Sequence, residues 1–288
     1  MALVAIADKG SFTSGARDLR ISQSSLSHAI IDLEKELGAS LFIRDRRGAH
    51  LTDFGRRVLP RARQALSNLD SIRAEADASR GVLSGRVRIG SIPSTSVNFV
   101  PKVIAHFTRQ YPKVEVVLLE EPSQGMQQLA EWLRTDTIDL AIVELPIQVL
   151  KGTPLMRDEL YAIVSKTSPL AKRRQLSVAD LVKEPFIMSR YSSERLIHAA
   201  YAQRNLVPLV RFEVQDLGTL VSMVRERLGV SIIPRVAFSA TPPGVALIPI
   251  SPQLRREVGF ALKLPGDSPP AVSAFVQKLQ ELSRAKRL

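Results

Sequence analysis

Residues 22 to 37 constrain the fold of this chain more than any other segment. On a helix, which turns about 100° per residue, the apolar residues of this segment share one narrow stripe: Leu26, Ile30, Leu33 and Leu37. Short polar side chains, among them Ser24 and His28, fall on the opposite side. A second helical segment, residues 13–19, precedes it across a tight connection. This order predicts a helix-turn-helix whose second helix enters the major groove of DNA. The alternative is an ordinary amphipathic helix capped by Ser22.

The stretch from residue 44 to 63 is strongly basic. It holds seven arginines against two aspartates, a local net charge of +5. Three of the arginines surround Gly48, and a short returning strand ends near residue 52, which predicts a two-stranded wing with a basic tip. Such a wing suits contact with phosphates or the minor groove. We therefore predict that the DNA-contacting residues are Ser22, Gln23, Ser24, Ser27, His28, Arg44, Arg46, Arg47 and Thr52.

An ordered set of motifs over some forty-five residues resembles the winged helix-turn-helix of LysR-type transcriptional regulators. The matching positions are Gly10-Ser11-Phe12, Ala16, Leu19, Ser22-Gln23-Ser24-Ser25-Leu26-Ser27, Leu33-Glu34-Lys35-Glu36-Leu37-Gly38, Leu41-Phe42, Arg44, Leu51-Thr52 and Gly55. The resemblance implies double-stranded DNA as a partner, assembly as a homodimer or homotetramer, RNA polymerase as a candidate partner and a small-molecule effector. It implies no cofactor.

Composition agrees with this interpretation. The chain has 288 residues, which predicts two or three structural units, and its net charge of +12 favours a polyanionic partner. It contains no cysteine, which excludes disulfides, thiol nucleophiles and thiolate metal sites. No apolar run reaches membrane-spanning length and the N-terminus lacks the pattern of an export signal, so we expect a cytoplasmic protein without a membrane partner.

After the wing, small and apolar residues recur at alternating spacings of four and three, the pattern of a heptad seam. The seam consists of Val58, Ala62, Ala65, Leu69, Ile72 and Ala76. A long helix with such a seam favours pairing with a second chain, although the seam also suits docking on the chain's own core. Pro60 lies early in this helix and is expected to bend it. We place the linker and dimerisation helix, with its hinge, at residues 54–85, after a DNA-binding domain at residues 1–53.

From residue 86 onward, predicted strands alternate with predicted helices. This alternation indicates an α/β domain with a parallel sheet and helical crossovers. Three motifs resemble the effector-binding domain of the same family: Asp139-Leu140-Ala141-Ile142, Ser168-Pro169-Leu170-Ala171 and Leu228-Gly229-Val230-Ser231-Ile232-Ile233-Pro234. The resemblance implies two α/β lobes with a ligand cleft between them, similar to periplasmic solute-binding proteins. We expect lobe I at about residues 86–162 and 263–288, and lobe II at about 163–262, with crossing strands near 162–164 and 261–264.

Candidate effector-binding residues lie where predicted strands end, because ligands of open parallel sheets sit beyond the carboxyl ends of strands. They are Ser94, Thr95, Ser96, Glu144, Arg190, Gln215 and Asp216. The three hydroxyl residues and Arg190 predict a small anionic effector, most plausibly a carboxylate. Two alternatives stay open, since the hydroxyls equally suit helix caps and Arg190 equally suits an exposed surface position.

Other functions fit the sequence less well. The four histidines fit no metal-ligand spacing, and no nucleophile elbow or phosphate-binding glycine motif is present, so we predict neither a metal site nor an enzyme. A solute receptor without a role in transcription explains the second half of the chain but not the first eighty residues. An architectural DNA-binding protein would not need a two-lobed module.

Overall fold

The computed structural model describes residues 1–45, 48–120, 126–147, 150–190, 193–263 and 268–284. The N-terminal head contains three helices and a two-stranded antiparallel ribbon: α1 (Ala2–Lys9), α2 (Phe12–Asp18), α3 (Gln23–Leu37), β1 (Phe42–Asp45) and β2 (Gly48–Leu51). Leu26 and Ile30 are fully buried in its core with Ile6 and Phe12. The predicted winged helix-turn-helix is confirmed. Leu37 lies in the last turn of α3, beyond the edge of this core, and is 41% exposed.

One long helix, α4 (Asp53–Ala78), connects the head to the rest of the chain. The helix continues through Pro60 without interruption. Near its C-terminal end Ala74 is buried where α4 meets lobe I, beside Gly85 and Ala271. The helix ends before Gly81. The φ of Gly81 is 72°, in the left-handed region that glycine adopts without strain.

Lobe I is built on a sheet with the strand order β6-β11-β5-β3-β4. Its elements are β3 (Gly85–Ser91), α5 (Pro93–Ser96), α6 (Phe99–Gln110), β4 (Val114–Glu120), α7 (Met126–Arg134), β5 (Leu140–Leu145), the first half of β6 (Gly152–Ser165), β11 (Arg255–Leu262) and α11 (Pro270–Arg284). Apolar side chains pack on both faces of the sheet, with α6 and α11 on one face and α7 on the other. Asp139 fastens β5 to β3, because its carboxylate accepts the Arg88 backbone N–H at 2.7 Å and pairs with the Arg88 guanidinium.

Lobe II contains the second half of β6 and the segments between it and β11. Its elements are α8 (Val178–Leu181), β7 (Phe186–Ser189), α9 (Glu194–Ala202), β8 (Val210–Val214), α10 (Leu217–Arg225), β9 (Ser231–Pro234) and β10 (Val245–Pro249). Ser231, within the family-like motif at residues 228–234, connects β9 to β7, since its hydroxyl donates to the Ile187 carbonyl at 2.7 Å. Gly229 is required there, because a Cβ would lie 2.5 Å from the Pro185 carbonyl oxygen.

The sheet is mixed rather than purely parallel, which corrects our expectation. β3 pairs in parallel with β4 and β5, and β7 with β8, but β6 pairs antiparallel with β9, β10 and β11. The β6–β11 pair is antiparallel because these two strands carry the chain between the lobes in opposite directions.

The crossings also differ from the expected positions. The hydrogen-bond partners of β6 change from β11 to β9 and β10 at residues 159 and 160, not near 162–164. β11 begins at Arg255 and pairs with β5 of lobe I along most of its length, so residues 255–262 belong to lobe I rather than lobe II. The expected boundary was late because the charged start of β11, residues 255–257, has the composition of a loop.

Candidate functional site

The start of α3 presents short polar side chains to solvent. Gln23, Ser24 and His28 are exposed, and Ser27 is half-buried beside them. Ser22 caps the helix by accepting the Ser25 backbone N–H at 3.0 Å. Its hydroxyl also lies 2.8 Å from the hydroxyl of Ser24. The buried stripe on the other side of α3 fixes this polar surface outward.

Three of the predicted wing residues cannot be placed. Arg46 and Arg47, together with the side chain of Arg44, lie outside the part of the chain that the structure describes. Thr52, which we predicted to contact DNA, forms hydrogen bonds within the head. Its hydroxyl donates to the Ser40 carbonyl at 2.7 Å and caps α4 by accepting the Gly55 N–H at 2.9 Å.

Sequence reasoning missed the residue that positions the wing. Glu34 on α3 accepts the backbone N–H of Leu41 at 2.6 Å and of Phe42 at 3.3 Å, so its carboxylate fixes the start of β1 relative to α3. The signal in the sequence was a glutamate on an otherwise half-buried side of the predicted helix.

The predicted seam of α4 divides into two parts. Val58 and Ala62 are half-buried against the core of the chain's own head. Ala65, Leu69, Ile72 and Ala76 are exposed, with exposed fractions of 54% for Leu69 and 66% for Ile72. The chain therefore presents an uncovered apolar strip on the C-terminal half of α4, on a different side from the buried Ala74.

The three hydroxyl residues after β3 are buried and form internal hydrogen bonds. Thr95 and Ser96 donate to the Ile92 carbonyl at 2.9 and 3.3 Å, and Ser94 accepts from the Arg256 guanidinium at 2.7 Å. The helix α5 that carries them has only four residues. Their structure is thus that of a folded turn whose hydroxyl groups are engaged by the protein itself.

The remaining predicted effector residues do not converge on one point. Arg190 is exposed and bonds to Glu213 at 3.0 Å, as in the surface alternative. Asp216 caps α10 by accepting the Thr219 N–H at 2.6 Å and the Thr219 hydroxyl at 2.8 Å. These two hydrogen bonds lower the pKa of the Asp216 carboxyl. Glu144 lies near Ser94, since both contact Arg256.

Arg256 is the principal residue that sequence reasoning missed. Its side chain is 1% exposed and it bonds to two carboxylates, Asp158 at 2.8 Å and Glu144 at 3.2 Å. Burial of a guanidinium is tolerated only when it is paired, and two carboxylates surround this one. Residues 255–257 are all charged, and the sequence alone does not show which charged residue of such a run is buried.

A cavity of about 430 Å³ lies between the lobes. Lobe I contributes Pro93, Val97 and Glu120 to its wall, and lobe II contributes Gln215, Asp216, Leu217, Gly218, Val221, Phe238 and Pro242. Six of these residues are apolar, and the two charged ones are acidic. Gln215 and Asp216 are therefore the predicted effector residues that line it. Within the described ranges, no group of three histidine or acidic side chains is arranged to hold a metal ion.

Two family models match this chain in the order of its structural parts. "Bacterial regulatory helix-turn-helix protein, lysR family" matches residues 1–56, and "LysR substrate binding domain" matches residues 80–284. The chain belongs to the LysR family of transcriptional regulators. This LysR-family regulator thus combines a DNA-binding head with an effector-binding domain, and the matches give no support to the alternative of a receptor without a role in transcription.

Relatives extend over nearly the whole chain. The regulator YvbU of Bacillus subtilis (strain 168), whose own function is uncharacterized, is 32% identical over 98% of this chain and 97% of its own length. The transcriptional dual regulator GltC of the same organism is 30% identical over 88% of this chain and 86% of its own. These relatives are transcriptional regulators, which are not enzymes.

Solved structures share the fold. A full-length OxyR variant from Pseudomonas aeruginosa superposes with a TM-score of 0.74 at 23% identity, covering 98% of this chain and 92% of that one. CbnR, a LysR-family regulator, gives 0.72 at 18% identity over 98% and 97% of the two chains, and a structure of CbnR in complex with its target DNA gives 0.70. In the described part of this regulator, none of the helices combines the length and apolar character that a bilayer crossing requires.

Proposed function

We propose that this regulator reads DNA through the exposed start of α3 and controls transcription in response to a small molecule bound between its lobes. The observation that carries the DNA assignment is the polar surface of Gln23, Ser24 and His28 opposite the buried Leu26 and Ile30. Amide and hydroxyl side chains at this position bond to base edges in the major groove. Arg44, Arg46 and Arg47 are proposed to contact phosphates or the minor groove.

A binding-site selection on the full chain tests this assignment. Gln23→Ala should change the preferred bases, whereas Arg46→Ala should weaken binding to all sequences and lower its dependence on salt concentration. Gln64→Ala, at an exposed position on α4, is the matched control and should change neither property. An unchanged base preference and affinity in Gln23→Ala would contradict the proposed recognition surface.

We further propose that two chains pair through the exposed strip of α4. A two-fold dimer presents two heads to DNA, which favours a near-palindromic operator. Pairing of dimers into a tetramer and contact with RNA polymerase are further proposals that the family membership supports. Since the proposed partner is DNA, we propose a cytoplasmic location.

The inter-lobe cavity is the proposed effector site, and its lining bears on the chemistry of the effector. Our sequence-based prediction of an anion depended on Arg190 and the hydroxyls of residues 94–96, all of which have partners within the protein. Among the described residues, the charged ones that line the cavity are Glu120 and Asp216, one from each lobe. These carboxylates and the apolar walls favour a compact apolar molecule that carries a hydrogen-bond donor or a positive charge.

Calorimetry with paired probes tests the chemistry of the site. Each pair shares one apolar skeleton and differs in its polar group, for example benzylamine and benzoate. The proposal expects the amine to bind more tightly, with the preference reduced in Glu120→Gln. Tighter binding of the carboxylate would restore the anionic prediction, and the absence of binding by any probe to a folded chain would count against this cavity as the site.

A further inference from the structure

Among the described residues of the effector domain, the most buried ion pair joins Arg256 and Asp158, where the chain passes between the lobes. Arg256 is the second residue of β11, next to the point where the chain returns from lobe II to lobe I. Its side chain is 1% exposed. A buried charge of this kind persists only if the protein supplies partners in good geometry, so the positions of those partners are coupled to it.

The partners of Arg256 come from both lobes. On the lobe I side, Nη2 donates to the Ser94 hydroxyl at 2.7 Å and Nη1 donates to Glu144 at 3.2 Å. On the lobe II side, Nη1 donates to the hydroxyl of Ser193, the residue before α9, at 3.3 Å. Nε donates to Asp158 on the crossing strand β6 at 2.9 Å. One guanidinium therefore spans the boundary between the lobes.

Asp158 extends the connection further into lobe II. Its second oxygen accepts the backbone N–H of Val236 at 3.0 Å. The same carboxylate thus bonds both to Arg256 and to the short 3₁₀ turn Arg235–Ala237 of lobe II. Since Asp158 is 4% exposed and accepts from both the Arg256 guanidinium and the Val236 backbone, it is the fixed partner of the pair.

Ser193 shows that the contact affects the orientation of α9. A serine at the residue before a helix ordinarily accepts a backbone N–H from the first turn. Ser193 has no such capping bond, and its oxygen accepts from Arg256 instead. The start of α9 is consequently fixed by a side chain from the crossing strand rather than by its own cap.

We propose that Arg256 is the positioning residue of the effector response. It ties Ser94 and Glu144 of lobe I to Ser193 of lobe II, and so sets the separation of the two walls of the cleft. The contact of Nη1 with Ser193 joins Arg256 to the start of α9 in lobe II, and this is the contact that a movement of the lobes would change. This inference rests on the proposed effector cleft, but the tie itself does not require a bound effector.

Arg256 acts by position rather than by touching the effector. A guanidinium has five N–H donors, and the bonds to Asp158, Ser94, Glu144 and Ser193 in the described structure engage all three of its nitrogens. The side chain is also shielded from solvent. The neighbouring Arg255 offers a matched control, because its side chain is 58% exposed. In the described structure its contacts are with Glu159 and Gln253.

The absence of cysteine makes a direct measurement of lobe separation simple. Gln277→Cys on α11 and Gln175→Cys in lobe II are exposed positions for two spin labels. Pulsed electron paramagnetic resonance, on labelled full-length chain diluted with unlabelled chain, gives the distribution of distances between the lobes. Arg256→Met should broaden or shift this distribution, Arg256→Lys should restore part of the original shape, and Arg255→Met should leave it unchanged.

A milder variant protects the test against loss of folding. Glu144→Gln combined with Ser193→Ala removes the charge of one Nη1 partner and the hydroxyl of the other, and leaves the pair with Asp158 intact. This variant should broaden the distribution while its thermal unfolding stays close to that of the original chain. An unchanged distribution in folded Arg256→Met, or in the double variant if Arg256→Met does not fold, overturns the proposal. A changed distribution in a chain that binds no small molecule would instead contradict the proposed effector site and leave the tie in place.

Discussion

The exposed strip on α4 leads to a quantitative prediction about assembly. The double substitution Leu69→Ala and Ile72→Ala removes most of its apolar surface. Full burial of such a side chain contributes about 2 kcal/mol. Because Leu69 is 54% and Ile72 66% exposed in the single chain, covering them in a dimer contributes roughly 1 kcal/mol for each side chain. The four side chains of a two-fold dimer then contribute roughly 4 kcal/mol.

Sedimentation velocity over a range of protein concentrations measures this loss. The double variant should raise the dimer dissociation constant by roughly a thousandfold, since 1.4 kcal/mol corresponds to a factor of ten. Gln64→Ala, an exposed polar position on the same helix, is the control and should leave the constant unchanged. Circular dichroism checks that helix content is preserved. A folded double variant that dimerises as tightly as the original chain refutes the assignment of this strip to the subunit interface.

Three further predictions concern other parts of the molecule. Asp216→Ala should destabilise the effector domain by about 1 kcal/mol in thermal unfolding, because it removes the cap on Thr219. Since folding lowers the pKa of Asp216, this contribution is present above the unfolded value near 3.8 and is lost as pH falls below it, so the variant and the original chain should converge in acid. Glu34→Gln should weaken DNA binding without a change in base preference, as scored by operator titration. In a double-mutant cycle, Arg63→Met and Thr137→Val should show non-additive effects on thermal unfolding, because their side chains bond at 2.7 Å between α4 and lobe I.

The head could be predicted almost completely from the sequence, because local periodicity determines it. The stripe of Leu26 and Ile30 and the turn residues before Ser22 specify helix, turn and helix within some thirty residues. The order of strands and helices in the effector domain was similarly readable. Its antiparallel pairs were not, since β6 and β11 join residues about a hundred positions apart and no local pattern records such pairing.

The effector site was harder to predict for a physical reason. The sequence shows which residues follow a strand. It does not show whether a hydroxyl or charged side chain is already hydrogen-bonded or ion-paired to another residue of the protein. Arg190 and Arg256 are both arginines beside strands, yet one is exposed beside Glu213 and the other is buried between two carboxylates. That difference depends on partners 23 residues away in the first case and 98 or 112 in the second.

The long helix between the head and lobe I acts as a lever arm. It is docked on lobe I near Ala74, and about 21 residues, or roughly 32 Å at 1.5 Å per residue, separate that point from its start at Asp53. A rotation of about 6° at the docked end displaces the other end by about 3.4 Å, which equals the rise of one base pair along DNA. The Arg63 bond to Thr137 opposes this rotation, because it ties α4 to lobe I ten residues from Asp53. If α3 reads DNA as proposed, a change in lobe I that releases this bond and is too small to alter the fold of the lobe would be large enough, at the head, to move α3 from one base pair to the next.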